Sequence, residues 1–133
     1  MTKNYTLADG TTFKVSTRRN KVTKDLLGDW HQSYYIIISI RGVERKFTFH
    51  DSVYNYRLGR VSPSLIEDAI GCIVSDCYAA KNNPLFWEFA NEFGYGDEEM
   101  ATARRAFNGC HNSLRKMEEL FSWAEIEELS EKF

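Results

Sequence analysis

The stretch SYYIIISIRGVERKFTFH, residues 33–50, decides the fold. Ser33–Ile40 is β-branched and aromatic almost throughout, which fits a pleated strand better than a helix. Alternation puts Tyr34, Ile36, Ile38 and Ile40 on one face and Tyr35, Ile37 and Ser39 on the other. The first face is apolar enough for a core, and the second reads as half covered. Gly42 then supplies the positive φ that a tight turn needs. The chain returns with Val43, Phe47 and Phe49 set against Glu44, Lys46 and Thr48. That is a hairpin with one apolar face.

Working back toward the N-terminus, TTFKVS places Phe13 and Val15 on one side of a further short strand. Between it and the hairpin lies TRRNKVTKDLLGDWHQ, residues 17–32. It reads as a long, polar, basic loop carrying Arg18, Arg19, Lys21 and Lys24. Connections of that length in compact domains are often functional or mobile.

Working forward, the period changes from two to between three and four. Ser62 is placed as an N-cap, with Pro63 at the first helical position. Leu65, Ile66, Ala69, Ile70, Ile73, Val74, Cys77 and Tyr78 then form one wide apolar stripe. Gly71 in that stripe reads as a close approach to the sheet. Asn83 and Pro84 open a second helix, with Leu85, Phe86, Phe89, Ala90 and Phe93 on one face and Gly94 at its C-cap. Asp97 caps a third, in which Met100, Ala103, Phe107, Cys110, Leu114, Met117 and Phe121 keep the helical period. Ser122 to Glu125 is a capping box opening a short last helix, from which Ile126 and Leu129 face inward.

The expected fold is therefore α+β. A small antiparallel β-sheet, an N-terminal hairpin plus one strand, packs against three to four C-terminal α-helices. The 133 residues make one domain, long enough to bury a sizeable core. Residues 1–60 are its β-rich basic half and residues 61–133 its helical acidic half.

Net charge is only -2, but its distribution is uneven. Residues 1–60 carry eleven Lys and Arg against five Asp and Glu, a balance of +6. Residues 61–133 carry the remaining six against fourteen, a balance of -8. Such asymmetry points to charged partners, or simply to two halves that attract each other. Two charged surfaces follow. The basic one is Arg18, Arg19, Lys21 and Lys24. The acidic one is Asp97, Glu98, Glu99, Glu118, Glu119, Glu127 and Glu128, joined by Glu125. A row of helical carboxylates can imitate a phosphate row, although Asp97, Glu98 and Glu99 also suit the positive end of a helix dipole. Trp87 and Tyr95 fall off the apolar stripes and are candidate aromatic anchors for a partner, or side chains folded back onto the sheet.

Catalytic motifs are missing: there is no GxSxG, Walker loop, HExxH or GxGxxG. Cys110 and His111 are adjacent on a helix, so their side chains diverge by about 100° and do not pair as nucleophile and base. Cys72 and Cys77, five apart on one helix, suit zinc poorly. An odd number of cysteines without CxxC fits reduced thiols. No cofactor or metal is expected, nor enzyme activity. The longest apolar run is too short to span a bilayer, and the N-terminus lacks the apolar core of a signal peptide, so no membrane partner is expected.

Two stretches carry a family resemblance. FTFHDSVYNYRLG, residues 47–59, resembles the F-x-D-S-[IV]-x-N segment of a family of small bacteriophage and prophage accessory proteins. FWEFANEFGYGDEEMATARRAFNGCHNSLRKMEELF, residues 86–121, resembles that family's aromatic E-F-G-Y block and the helix after it. This chain departs in placing Gly96 before Asp97, which lengthens the corner. The resemblance covers about residues 43–121 and leaves out most of the basic half. It implies a phage protein working in the host bacterial cytoplasm by binding host machinery. Specifically, it implies an inhibitor of a defence system, an anti-CRISPR protein that binds a CRISPR effector stoichiometrically and blocks access to DNA. Either charged surface could engage the effector or its nucleic acid. The alternative is a nucleic-acid-binding phage regulator. An exposed Trp87 or a sheet edge strand would also permit a homodimer.

Overall fold

The structure is a computed structural model that describes residues 1–51, 59–82 and 97–133, with the backbone alone for 97–107. Four strands, β1 (Thr2–Thr6), β2 (Thr12–Lys24), β3 (Trp30–Ile40) and β4 (Val43–His50), form one antiparallel sheet in the order β1-β2-β3-β4. Three described helices follow: α1 (Leu65–Asn82), α2 (Asp97–Leu120) and α3 (Trp123–Lys132). The α+β expectation holds, with strands first and helices after.

The sheet is a meander because each connection is a short turn. Arg41 and Gly42 both take positive φ, at 51° and 76°, which is the two-residue turn that matches strand twist. Gly10, at φ 90°, closes the β1–β2 turn, where Asp9 Oδ1 accepts from the Thr11 amide at 2.9 Å. β1 was not anticipated. Its five residues offer only Tyr5 and the Lys3 stem to the core side, too little apolar surface for a periodic signal.

The period-two reading of β3 is borne out. Tyr34, Ile36, Ile38 and Ile40 are buried, and Tyr35, Ile37 and Ser39 are partly exposed. Phe13 and Val15 of β2 and Phe47 of β4 share the buried face. Against it lie Leu65, Ile66, Ala69, Ile70, Ile73, Val74 and Cys77 of α1, Met117 and Leu120 of α2, and Ile126 and Leu129 of α3. The opposite face of the sheet carries no buried apolar side chain.

Local caps follow the sequence with small shifts. Ser122 Oγ accepts from the Glu125 amide at 3.2 Å, while Glu125 accepts from the Ser122 amide at 2.8 Å, completing the capping box of α3. α1 begins at Leu65, so Ser62 and Pro63 lie in the turn just before it. Gly71 does not approach the sheet. A Cβ added there would lie 3.4 Å from the Phe133 carbonyl oxygen, so the neighbour is the end of α3. The corner over 83–96, including Phe86, Trp87, Phe89, Gly94 and Tyr95, lies outside the described residues, as does 52–58.

The largest correction concerns residues 17–32. They do not form a loop. β2 continues through Lys24 and β3 starts at Trp30, leaving a five-residue turn between them. The segment pairs because its polar residues alternate across a ladder that needs no apolar face to form main-chain bonds.

Candidate functional site

Beyond Gln32, β2 and β3 make main-chain pairs only with each other among the described residues: Thr23 with His31 and Lys24 with Trp30. A two-stranded arm therefore projects from the sheet. Such a ribbon is marginal alone, and local bonds hold this one. A β-bulge sets Asn20 and Lys21 against Ser33. Ser33, fully buried, donates to the Lys21 carbonyl at 2.9 Å and accepts from its amide at 3.2 Å. The extra residue brings Lys24 opposite Trp30, where its Nζ lies 5.4 Å from the indole centroid.

Asp25 organises the tip. Its Oδ1 accepts from the Leu27 and Asp29 amides, both at 2.9 Å, its amide donates to the Asp29 carbonyl at 2.8 Å, and its carbonyl accepts from Gly28 at 3.1 Å. Gly28 takes φ 84° to close the turn. Asp25 Oδ2 also meets His31 Nε2 at 2.8 Å. That contact raises the imidazole above its ordinary range and lowers the Asp25 carboxyl, which the turn's own amides lower further. The carboxylate's contribution is present above its unfolded value and lost as pH falls through its lowered folded value. The imidazolium's is present below its unfolded value and lost as pH rises through its raised one. The turn is thus tightest between those limits. Asp25→Asn keeps an acceptor for the two amides but removes the charge. NMR titration of the His31 ring should show its midpoint returning to the ordinary imidazole range. An unchanged midpoint would mean that the ion pair contributes nothing to it.

Of the four basic residues singled out in the sequence, Lys24 lies on this arm and Lys21 in the bulge at its root, while Arg18 and Arg19 lie just behind it in the sheet. Arg18 opposes Tyr35 on the outer sheet face, with its guanidinium carbon 5.2 Å from the ring centroid. Lys46 approaches the same ring at 4.3 Å. Arg19 opposes Tyr34 and so points to the other face, Lys21 sits in the bulge and Lys24 covers Trp30. Among the described residues none of Arg18, Arg19, Lys21 and Lys24 is in an ion pair.

The acidic residues are placed differently. Glu119 pairs with Arg45 of β4, and Glu125 pairs with Arg41 of the β3–β4 turn. Glu118 accepts from Trp123 Nε1 at 3.1 Å, and Glu128 accepts from the Ala8 amide at 2.9 Å. Glu67 takes Lys3 at 2.7 Å and Tyr5 at 2.8 Å, and the Lys3 bond does most to lower its carboxyl. Tyr5 is raised in turn, mainly by burial and then by Glu67. These carboxylates tie helices to sheet and turns. Glu127 is exposed and, among the described residues, has no side-chain partner. Asp97, Glu98 and Glu99 form the first turn of α2, and their side chains, like Trp87 and Tyr95, are outside the described set. The Arg45–Glu119 and Arg41–Glu125 pairs could not be found in the sequence, since their partners lie 74 and 84 residues apart along the chain.

Among the described residues, no group of three or more His, Cys, Asp or Glu side chains is placed to hold a metal. Burial pushes the Cys77 thiol up to about 12, and it raises Cys72 and Cys110 as well, so the thiolates needed for nucleophilic attack are suppressed. Cys110 is only half-buried, beside Asp76, whose carboxyl is raised by burial. A cavity of about 490 Å³ opens between the β1–β2 turn and the start of α3, but Arg41 and Glu125 neutralise each other in its wall. No described helix is long and apolar enough to cross a membrane.

Fold and surface define a small α+β domain with one projecting basic arm. Comparison with protein-family models, with curated proteins and with solved structures finds no significant match.

Proposed function

We propose that this chain is a phage accessory protein that inhibits a host defence system from the bacterial cytoplasm. It binds a nucleoprotein effector, a CRISPR complex in the leading case, stoichiometrically and without catalysis. The contact is made by the basic arm, and the mechanism is occlusion of the groove that admits DNA. One observation carries the choice of surface. The described acidic side chains of the helices are largely engaged by the protein's own strands, turns and helices, whereas Arg18, Arg19, Lys21 and Lys24 are in no ion pair among the described residues. Cations that no internal carboxylate neutralises are available to neutralise phosphates or carboxylates on another molecule. The phage setting rests on the resemblance of residues 47–59 and 86–121.

A second reading has its own support. On the outer sheet face Tyr35 lies beside Arg18 and Lys46, an aromatic flanked by cations as in surfaces that stack single-stranded bases. The protein would then be a nucleic-acid-binding phage regulator.

A tagged pull-down from bacterial lysates carrying defined CRISPR systems, repeated with nuclease and at raised salt, separates the two. The inhibitor reading expects one effector, at a fixed ratio, that survives nuclease. Nucleic acid alone, lost with nuclease or salt, overturns it in favour of the regulator.

A further inference from the structure

The tip of the arm is apolar as well as basic. Leu26 and Leu27 are 105% and 89% exposed, and Val22 and Trp30 behind them are 40% and 44% exposed. Together with Met1 these are all the large hydrophobic side chains exposed among the described residues, and four of the five stand on one turn and its flanks. Scattered exposed apolar residues need no explanation, but a concentration on one projecting apex does. Nor is this a floppy loop, because Asp25 bonds fix the turn that displays the leucines.

We propose that the β2–β3 arm docks end-on against an anionic lipid surface, with Leu26 and Leu27 entering the acyl boundary and the cations behind them meeting the headgroups. Three features select this occupant. First, two cations stand close behind the leucines, Lys24 on the inner face and Lys21 in the bulge, whereas Arg18 and Arg19 lie at the base of the arm, roughly 20–25 Å back, and do not reach the plane. A plane approached end-on meets the two leucines and these two cations together. Second, the amides of Asp25, Leu27, Gly28 and Asp29 are bonded within the turn, so little raw backbone enters an apolar phase. Third, Trp30 with Lys24 over its ring sits behind the leucines, at the depth where indoles and long cationic stems favour the interface. Asp25 and Asp29 are the acidic groups near the tip. The Asp25 carboxylate stays exposed, but its charge is offset by the two amides that it accepts from and by His31. Peripheral docking of this kind needs no spanning segment.

This inference is independent of the inhibitor reading, although the two share cations. Binding a polyanion through those cations does not require the leucines; lipid docking does. The test is sedimentation of the full-length protein with vesicles of phosphatidylcholine alone, and of phosphatidylcholine mixed with phosphatidylglycerol. The wild type should sediment with the mixed vesicles only. Leu26→Ser with Leu27→Ser should lower the partition about a hundred-fold. Lys21→Gln with Lys24→Gln should lower it about thirty-fold. Circular dichroism would confirm that both variants keep the fold, since neither alters a buried side chain. Absence of sedimentation with either vesicle overturns the proposal. So does a leucine variant that partitions like wild type, because adsorption would then be purely electrostatic. Loss of a captured protein partner by the leucine variant, with no vesicle binding by wild type, would assign the tip to a protein pocket instead.

Discussion

Replacing Arg18, Arg19, Lys21 and Lys24 together by alanine is expected to weaken effector binding about a thousand-fold and leave the fold in place. Each cation that meets a partner charge contributes about 1 kcal/mol at a surface, and four such losses make about three decades. The salt dependence should flatten as well, by roughly one unit of slope for each phosphate contact removed. The fold survives because none of the four is buried or in an ion pair among the described residues. Arg18 gives up its approach to Tyr35 and Lys24 its approach to Trp30, exposed contacts that contribute about 0.5–1 kcal/mol each. Titration of the captured effector at two salt concentrations checks the binding, and thermal unfolding checks the fold. Unchanged affinity would exclude the arm as the inhibitory surface.

The mirror experiment on the acidic side is less clean than the sequence led us to expect. Reversing Glu118, Glu119, Glu127 and Glu128 would break the Trp123 hydrogen bond, the Arg45 ion pair and the bond to the Ala8 amide. Loss of binding by that variant would not separate a lost contact from a loosened sheet–helix junction. Glu127→Lys alone is free of that objection.

What could be read from the sequence depended on whether a segment buries one face. Ile36, Ile38 and Ile40 face the core, so their alternation was legible, as was the helical stripe from Leu65 to Cys77. The arm buries neither face. Its alternation is between one polar side chain and another, and the signal that separates strand from loop vanishes. The bulge at Asn20 and Lys21 was likewise invisible, because register is marked only where a slip would move apolar residues into water. The basic residues themselves were legible as composition, but their arrangement on and behind a rigid arm was not. Leu26 and Leu27 give no local signal, because two leucines inside a polar stretch show no period. The internal pairing of the acids depends on contacts between distant parts of the chain, which no local pattern encodes.

The sharpest stability test uses neighbouring residues of β3. Ile36 has no exposed surface, whereas Ile37 lies on the outer face and is only partly covered. Ile36→Ala removes three buried carbons from the centre of the sheet and leaves a cavity between Phe47 and the helices, costing about 3–4 kcal/mol. Against a total of roughly 5–15 kcal/mol, that is a large fraction of the stability. The midpoint of thermal unfolding should fall by roughly 10–15 °C for a domain of this size. Ile37→Ala removes the same atoms from a face that water already reaches, so it should cost about 1 kcal/mol or less, and part of that is β-propensity. The difference between the two is more informative than either value, because propensity and the unfolded chain affect both variants alike and cancel in it. A large loss for Ile36 with a small one for Ile37 is the signature of a sheet covered by helices on one side. Equal losses would mean that a second layer covers the outer face. Tyr35, Arg18 and Lys46 would then lie beneath it and could not serve as an open platform for bases.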